Sequence, residues 1–483
     1  MEEIDIAVLT RRSVQGVIAL ISRNFVLNLV SIFSFLLISS VLLPKDIGLY
    51  TAVIAIQRII NFFTDFGLGA ALVQKKEELK EADLRTSFTI QAGITLIIFV
   101  IVFLLRGIIA SYFKLSPSGE LLLIILVFCI FLSSFKTIPS ILLERKIRFE
   151  KLVIPQMVES LVFNTLLIIL AFKGFGLTSF TWAFLVSGIV GIPFYYLVSP
   201  WNIGIGIDRA SLSYLKFGAQ FQAKNILAAV KDDGLTLFLA KTLTFTELGY
   251  IGFAQKLAFY LYRYVVDSVT KVTFSTYARI QGDLGVVKKA IEKSLFFVST
   301  GIFPLLVGLI VIAPYLIAYF PGWHNKWEPA TVSLIFFCLN AIVSSMSGIL
   351  INILDANGKV KTTLSLMVMW TALTWFLTPL FIMFYGYNGV AIASFLVTLT
   401  IIITVYQVRR VVHFHFFRSI YKPLIATAVM GIIVFFLSKF LITDLITLVA
   451  VAFIGGSVYL SCMYGLARGE LARGLHALRT RHD

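Results

Sequence analysis

The chain has 483 residues, of which 59% are hydrophobic and only 14% charged, with a formal net charge of +16. A water-soluble chain of this size carries about a quarter charged residues, so lipid must cover most of this surface. That excludes a soluble enzyme or a free nucleic-acid-binding module, which would gather its basic residues on one folded face.

The chain opens MEEIDIAVLTRRSVQG, with charges of both signs and no small-residue cleavage site, so the first apolar run reads as a retained helix rather than a signal peptide. Stretches able to cross about 30 Å of hydrocarbon then follow at 14–43, 47–72, 86–112, 120–143, 152–172, 177–198, 213–240, 247–277, 290–318, 330–354, 362–384, 388–408, 421–440 and 443–466. This is an all-α polytopic membrane protein of about fourteen helices. The connections are short and rich in turn formers, as in Pro44-Lys45-Asp46, Lys173-Gly174-Phe175-Gly176 and Asp355-Ala356-Asn357-Gly358.

Basic residues set the orientation. When loops are numbered alternately and basic residues at span ends are counted with the adjoining loop, 26 Lys and Arg fall on one side and 6 on the other, the remaining 9 of the 41 lying inside spans. The positive-inside rule then puts both termini in the cytoplasm, in a cell membrane crossed many times. The net charge is mostly a topology signal, and no nucleic-acid partner is expected. Cys129, Cys338 and Cys462 all lie in apolar runs, an odd number without ligand spacing, so neither disulfide nor metal is expected, and no cofactor.

The chain repeats itself. Asp46-Ile47-Gly48-Leu49-Tyr50 joins spans 1 and 2, and Glu247-Leu248-Gly249-Tyr250 joins spans 7 and 8. Sliding one onto the other lays Asn24 on Asn225 and Arg23 on Lys224. The acid at each junction is placed to cap amides at the following helix start, and the glycine permits close helix approach. Phe128-Cys129-Ile130 is echoed by Phe337-Cys338-Leu339, and Gly174 and Gly176 by Gly386 and Gly389. Two pseudo-symmetric six-helix bundles follow, an N-terminal lobe over 1–198 and a C-terminal lobe over 199–412. Residues 413–483 add two further helices and a basic tail. Repeated halves around a midplane site are a transporter pattern.

The nine cations inside spans are Arg23, Arg58, Arg106, Lys136, Lys224, Lys231, Lys256, Arg263 and Lys271, with the acids Asp65, Glu159, Asp232, Asp233 and Asp267. Each costs at least about 2.5–3.5 kcal/mol at a helix centre, so each must face water or a partner. Lys256, Tyr260, Arg263, Asp267 and Lys271 step by four, three, four and four, one stripe of a helix. Arg58, Asn61 and Asp65 step likewise, and Lys224/Lys231 and Asn225/Asp232 are seven apart. Spans 1, 2, 7 and 8 thus present polar faces, expected to line a wet cavity with more bases than acids, which attracts an anion.

In that cavity Arg23, Arg58, Lys224, Lys231, Lys256 and Arg263 are the expected phosphate ligands, and Asn24, Gln57, Asn225 and Tyr260 the hydrogen-bonding groups. Asp65, Asp232 and Asp267 are the candidates for ion coupling. The plainer alternative is that Arg263, Asp267 and Lys271 form structural i,i+4 pairs, and that Arg106 and Lys136 snorkel from span ends to the interface. Pro155, Pro304 and Pro314 sit where a kink lets a helix bend.

At Leu43-Pro44-Lys45-Asp46-Ile47-Gly48-Leu49-Tyr50 and Thr64-Asp65-Phe66-Gly67-Leu68-Gly69 the chain resembles the Wzx-type polysaccharide flippases of the multidrug/oligosaccharidyl-lipid/polysaccharide (MOP) exporter superfamily. The basic loop Glu144-Arg145-Lys146-Ile147-Arg148-Phe149-Glu150-Lys151-Leu152 is similar to that family's as well. Relatives often carry an Arg ahead of the first proline; here the stretch reads Ile38-Ser39-Ser40-Val41-Leu42-Leu43-Pro44, one base fewer at the outer mouth. The resemblance implies a non-enzymatic flippase that alternates between inward-open and outward-open forms. Its cargo would be a lipid-linked oligosaccharide of the undecaprenyl-pyrophosphate type, for lipopolysaccharide or capsule export. Membrane lipids and polysaccharide synthesis proteins are the expected partners. A drug exporter of the same superfamily would prefer an acidic, aromatic cavity. A membrane polymerase or glycosyltransferase would need a sizeable loop with paired carboxylates, whereas these loops are short.

Overall fold

The computed structural model describes residues 6–64, 72, 75, 77–208, 229–280 and 283–479. Every regular element there is helical. In chain order these are α1 (Ile6–Val41), α2 (Pro44–Thr64), α3 (Glu81–Phe113), α4 (Pro117–Arg145), α5 (Phe149–Phe172) and α6 (Thr178–Val198). A π-helical turn at Val230–Gly234 then leads into α7 (Leu235–Thr242), followed by α8 (Phe245–Ile280), α9 (Leu284–Tyr319), α10 (Thr331–Ala356) and α11 (Val360–Tyr385). The last expected spans appear as α12 (Asn388–Thr398) with α13 (Ile401–Arg409), α14 (Phe416–Leu441) and α15 (Leu445–Arg479). Among the described residues ten helices are long and apolar enough to cross a membrane. Exposed Leu104, Met383, Phe384, Phe440 and Phe453 are consistent with lipid as their solvent.

Helix ends follow from local chemistry. Ser116 caps α4 by accepting the Gly119 N–H at 3.2 Å, with Pro117 in the first turn where its missing donor costs nothing. Asp283 caps α9 by accepting the Gly285 and Val286 N–H groups at 2.8 and 3.0 Å. The paired glycines behave as expected of turns: Gly174, Gly176 and Gly386 all hold positive φ, which costs a residue without Cβ least. Gly389 serves differently. Its backbone lies against the Phe381 carbonyl, where a Cβ would not fit.

The chain divides into two compact units, Met1–Gly249 and Tyr250–Asp483. In the first, α5 packs on α6 and on α1, and α4 packs on α3 and α6. In the second, α11 packs on α12, and α10 packs on α9 and α12. Advancing each of α3–α6 by six gives the corresponding helix of the second unit, so the repeat extends to which helices touch. The final pair departs from it. α14 and α15 lie on each other and on α9, burying Phe296, Ala426, Met430, Val434, Leu448, Val451 and Met463. Tyr459 tightens that junction, its hydroxyl donating to the Thr300 carbonyl at 2.8 Å.

The two junction motifs meet inside the first unit. A Cβ on Gly48 would overlap the Phe245 carbonyl, and one on Gly249 would overlap the Pro44 carbonyl. The contact is reciprocal: each glycine rests on the peptide that opens the other's helix. The junction acids correspond too, although they reach backwards instead of forwards into the helix. Asp46 Oδ2 accepts the Leu43 N–H at 3.4 Å and Glu247 Oε2 accepts the Thr244 N–H at 2.8 Å. This is the return half of a capping box, in place of the forward cap expected from the sequence.

Candidate functional site

In the first unit α2 and the π turn lie side by side. From α2 come Gln57, half-buried, and Arg58, whose side chain is 63% exposed. From the π turn come Lys231, Asp232 and Asp233. Arg58 Nη1 donates to Asp233 Oδ1 at 3.4 Å, a bridge across 175 residues of sequence. Lys231 Nζ stands 3.5 Å from Asp232 Oδ1, with Asp232 68% exposed. These are wet, single-pronged pairs, the class worth about 0–1 kcal/mol each. A π turn gives up regular i→i+4 bonding and is concentrated at functional sites; here it widens the helix where three charged residues run consecutively.

A second polar centre lies deeper in the same unit. Lys136 of α4 pairs with Glu159 of α5, at 14% and 25% exposure, and sits 6.0 Å above the buried Tyr195 ring of α6. The carboxyl of Glu159 occupies the space that a Cβ on Gly191 would need. Arg23 of α1 donates to the side-chain oxygen of Gln156, one turn from Glu159, and Gln156 also lies against the Tyr195 hydroxyl. The expectation that Lys136 snorkels to the interface is therefore corrected: a carboxylate within reach on α5 satisfies it inside the bundle. Arg106 is different: it pairs at 3.2 Å with Glu120 in the first turn of α4 and lies over the Phe103 ring at 4.3 Å, a place near the helix ends that agrees with reaching towards the interface.

The second unit holds Lys256, Tyr260 and Arg263 on α8. Lys256 and Tyr260 are half-buried and Arg263 is exposed, with Tyr260 and Arg263 close enough to interact electrostatically. Lys224, Asn225 and Asp65 lie outside the described residues, as do the side chains of Asn24, Asp267 and Lys271.

Two features are not visible in the sequence pattern. The seven-residue spacing of Asn225 and Asp232 gives no sign of Asp233, which the π turn sets beside Arg58. Glu159 shows no partner on its own helix, because Lys136 comes from a different one. The expected cation surplus is narrower than the raw count suggests: Arg58, Lys231, Lys136 and Arg106 each stand beside a carboxylate.

Residues 37–332 match the polysaccharide biosynthesis protein family. The lipopolysaccharide biosynthesis protein WzxC of Escherichia coli (strain K12) is 24% identical over 331 residues, 65% of this chain and 63% of that protein. The succinoglycan biosynthesis transport protein ExoT of Rhizobium meliloti (strain 1021) is 22% identical over 296 residues, 60% of this chain and 59% of its own. The matched region thus spans about three fifths of these relatives' length. Among solved structures, the lipid II flippase MurJ in an inward closed conformation superposes with a TM-score of 0.77 at 18% identity, over 94% of this chain and 99% of that one. An inward-facing multidrug resistance MATE family transporter of the MOP superfamily gives 0.60 at 14% identity, over 80% and 95%. The fold is therefore the one those transporters share.

Proposed function

This chain belongs to the polysaccharide biosynthesis protein family, and on that footing we propose that it is a flippase for an anionic lipid-linked oligosaccharide of the undecaprenyl-pyrophosphate type. It takes the head group from the cytoplasmic leaflet of the cell membrane and releases it outside by alternating access, while the lipid tail stays in the bilayer. Both termini are cytoplasmic. The working parts are an N-terminal lobe over 1–198, a C-terminal lobe over 199–412 and the appended helices and tail of 413–483.

The observation that carries this reading is the exposed Arg58 and the half-buried Lys231 on neighbouring elements, each with one carboxylate contact among the described residues. Among the described residues the guanidinium commits one of its five donors to Asp233, and a guanidinium suits a phosphate, which accepts two parallel N–H bonds where a single carboxylate oxygen takes one. Arg23, Lys224, Lys256 and Arg263 supply further positive charge. Asn24, Gln57, Asn225 and Tyr260 bind hydroxyls of the sugar. Asp65, Asp232 and Asp267 are the coupling candidates, because a carboxylate that gains and loses a proton or cation changes the charge balance beside these bases.

The test is flipping of a lipid-linked oligosaccharide in reconstituted vesicles. Arg58→Ala and Lys231→Ala are each expected to slow it at least about ten-fold, the loss of one charge-assisted contact of about 1.5–3 kcal/mol. Wild-type rates in both would refute the assignment. A drug exporter is the second reading, favoured by the likeness to the MATE fold. Cargo competition separates the two, since a cationic drug would have to inhibit flipping and be carried itself.

A further inference from the structure

We propose that Asp233 is a built-in stand-in for the cargo's phosphate: it occupies Arg58 in the empty protein and must be displaced when the head group binds. The proposal rests on the lipid-linked cargo reading above and adds a residue to which that reading gives no role.

The geometry supplies the argument. Arg58 and Asp233 meet through one Nη1–Oδ1 contact at 3.4 Å, long for a charge-assisted bond and single-pronged where the pair could be forked. The remaining guanidinium donors face outward on a side chain that is 63% exposed. Asp233 itself is only 17% exposed, so its carboxylate lies against the protein rather than out in solvent. The contact is weak enough to exchange, while the carboxylate stays close by to return to Arg58. A pyrophosphate brings more charge and several oxygens, and it can take two donors at once. A monoanion or neutral sugar brings no such advantage, so the carboxylate filters for polyanions.

Displacement has a consequence for the helix. Once Arg58 turns to the cargo, Asp233 loses its counter-ion while Asp232 remains adjacent and exerts a like-charge repulsion on it. Both acids sit in the π turn, which departs from regular i→i+4 bonding. Cargo arrival on α2 thereby raises the free energy of the turn packed against it, and by linkage any rearrangement of the turn changes cargo affinity by the same factor. Asp233 is thus a positioning residue that joins occupancy of Arg58 to the shape of the helix opposite.

The experiment measures binding of inorganic pyrophosphate to the purified full chain by calorimetry at fixed ionic strength. Asp233→Asn removes the competitor and should bind about two- to five-fold tighter, the equivalent of one exposed ion pair. Asp233→Ser serves where the amide fails to fold, and Asp233→Glu should restore wild-type affinity. Arg58→Ala should weaken binding, and adding Asp233→Asn to it should give no tightening. That last arm separates direct competition from a general field effect, which would persist without Arg58. Unchanged or weaker binding by Asp233→Asn and Asp233→Ser, or tightening that survives in the Arg58→Ala background, overturns the displacement while leaving the cargo reading intact. If wild type and Arg58→Ala bind alike, the cargo reading fails and the proposal with it.

Discussion

Helices α3–α6 and α9–α12 are packed by the same plan and furnished differently. In the first unit the plan encloses a charged pair, Lys136 with Glu159, and Arg23 against Gln156. In the second, neutral groups do the joining. Asn340 donates to the Ser394 carbonyl and hydroxyl at 2.9 and 2.7 Å, Ser333 donates to Asn388 at 2.7 Å, and Trp370 donates to Thr400 at 2.8 Å. By the Cys129/Cys338 echo, Lys136 corresponds to Ser345, which among the described residues bonds its own helix at the Ile342 carbonyl. The packing therefore does not require the charges. Ions within apolar helices are costly, and a bundle of this design holds together without them, so those of the first unit call for a purpose beyond architecture.

Breaking the charged pair should show the largest effect. Lys136→Ala leaves Glu159 without its cation; fully buried pairs lose about 3–5 kcal/mol this way, and partial exposure here lowers the expectation to about 2–3. Thermal unfolding in detergent should show the loss, and the neutral pair Lys136→Met with Glu159→Gln should recover most of it. Ser345→Ala, the matching change in the other unit, should stay within about 0.5 kcal/mol. Equal losses at Lys136 and Ser345 would erase the contrast. Next come the reciprocal glycines: Gly48→Ala or Gly249→Ala drives a methyl into a carbonyl and should cost about 1–3 kcal/mol, whereas Gly93→Ala, with open space around it, should not.

Asn340→Ala should be milder, about 0.6–1.7 kcal/mol, the range for hydrogen bonds between membrane helices. A loss as large as that of Lys136→Ala would mean that the neutral contacts carry as much as the charged ones. The smallest effect lies in the connection after α9. There burial pushes the Lys326 ammonium down to about 8. The folded form disfavours that charge, so stability should rise as pH climbs from about 8 towards the ordinary lysine value and should be lower beneath it. Competitive amine labelling should give Lys326 a midpoint near 8, well below the ordinary lysine value.

Composition was enough to reveal the all-helical membrane fold, because helices in lipid need long apolar runs and nothing in water does. The repeat was legible from short motifs, since Gly48 and Gly249 are required by backbone contact, and such constraints survive where side-chain packing drifts. The candidate site was only partly legible. Spacing rules assume 3.6 residues per turn, and the π turn at Val230–Gly234 departs from that at the place where Asp233 meets Arg58. Partners from distant helices, as with Lys136 and Glu159 or Arg58 and Asp233, leave no periodic trace. Likewise, counting cations along the chain could not reveal that several already face a carboxylate.

The glycine contact has a consequence for how the protein can change over time. Its two sides are interchangeable, as in the interface of a two-fold dimer, although one polypeptide supplies both. An enlargement at position 48 cannot be offset by a reduction at 249, because the partner there is already the smallest residue and the opposing surface is main chain. Each position is thus pinned independently, and a tolerated variant at either would have to move a whole helix start.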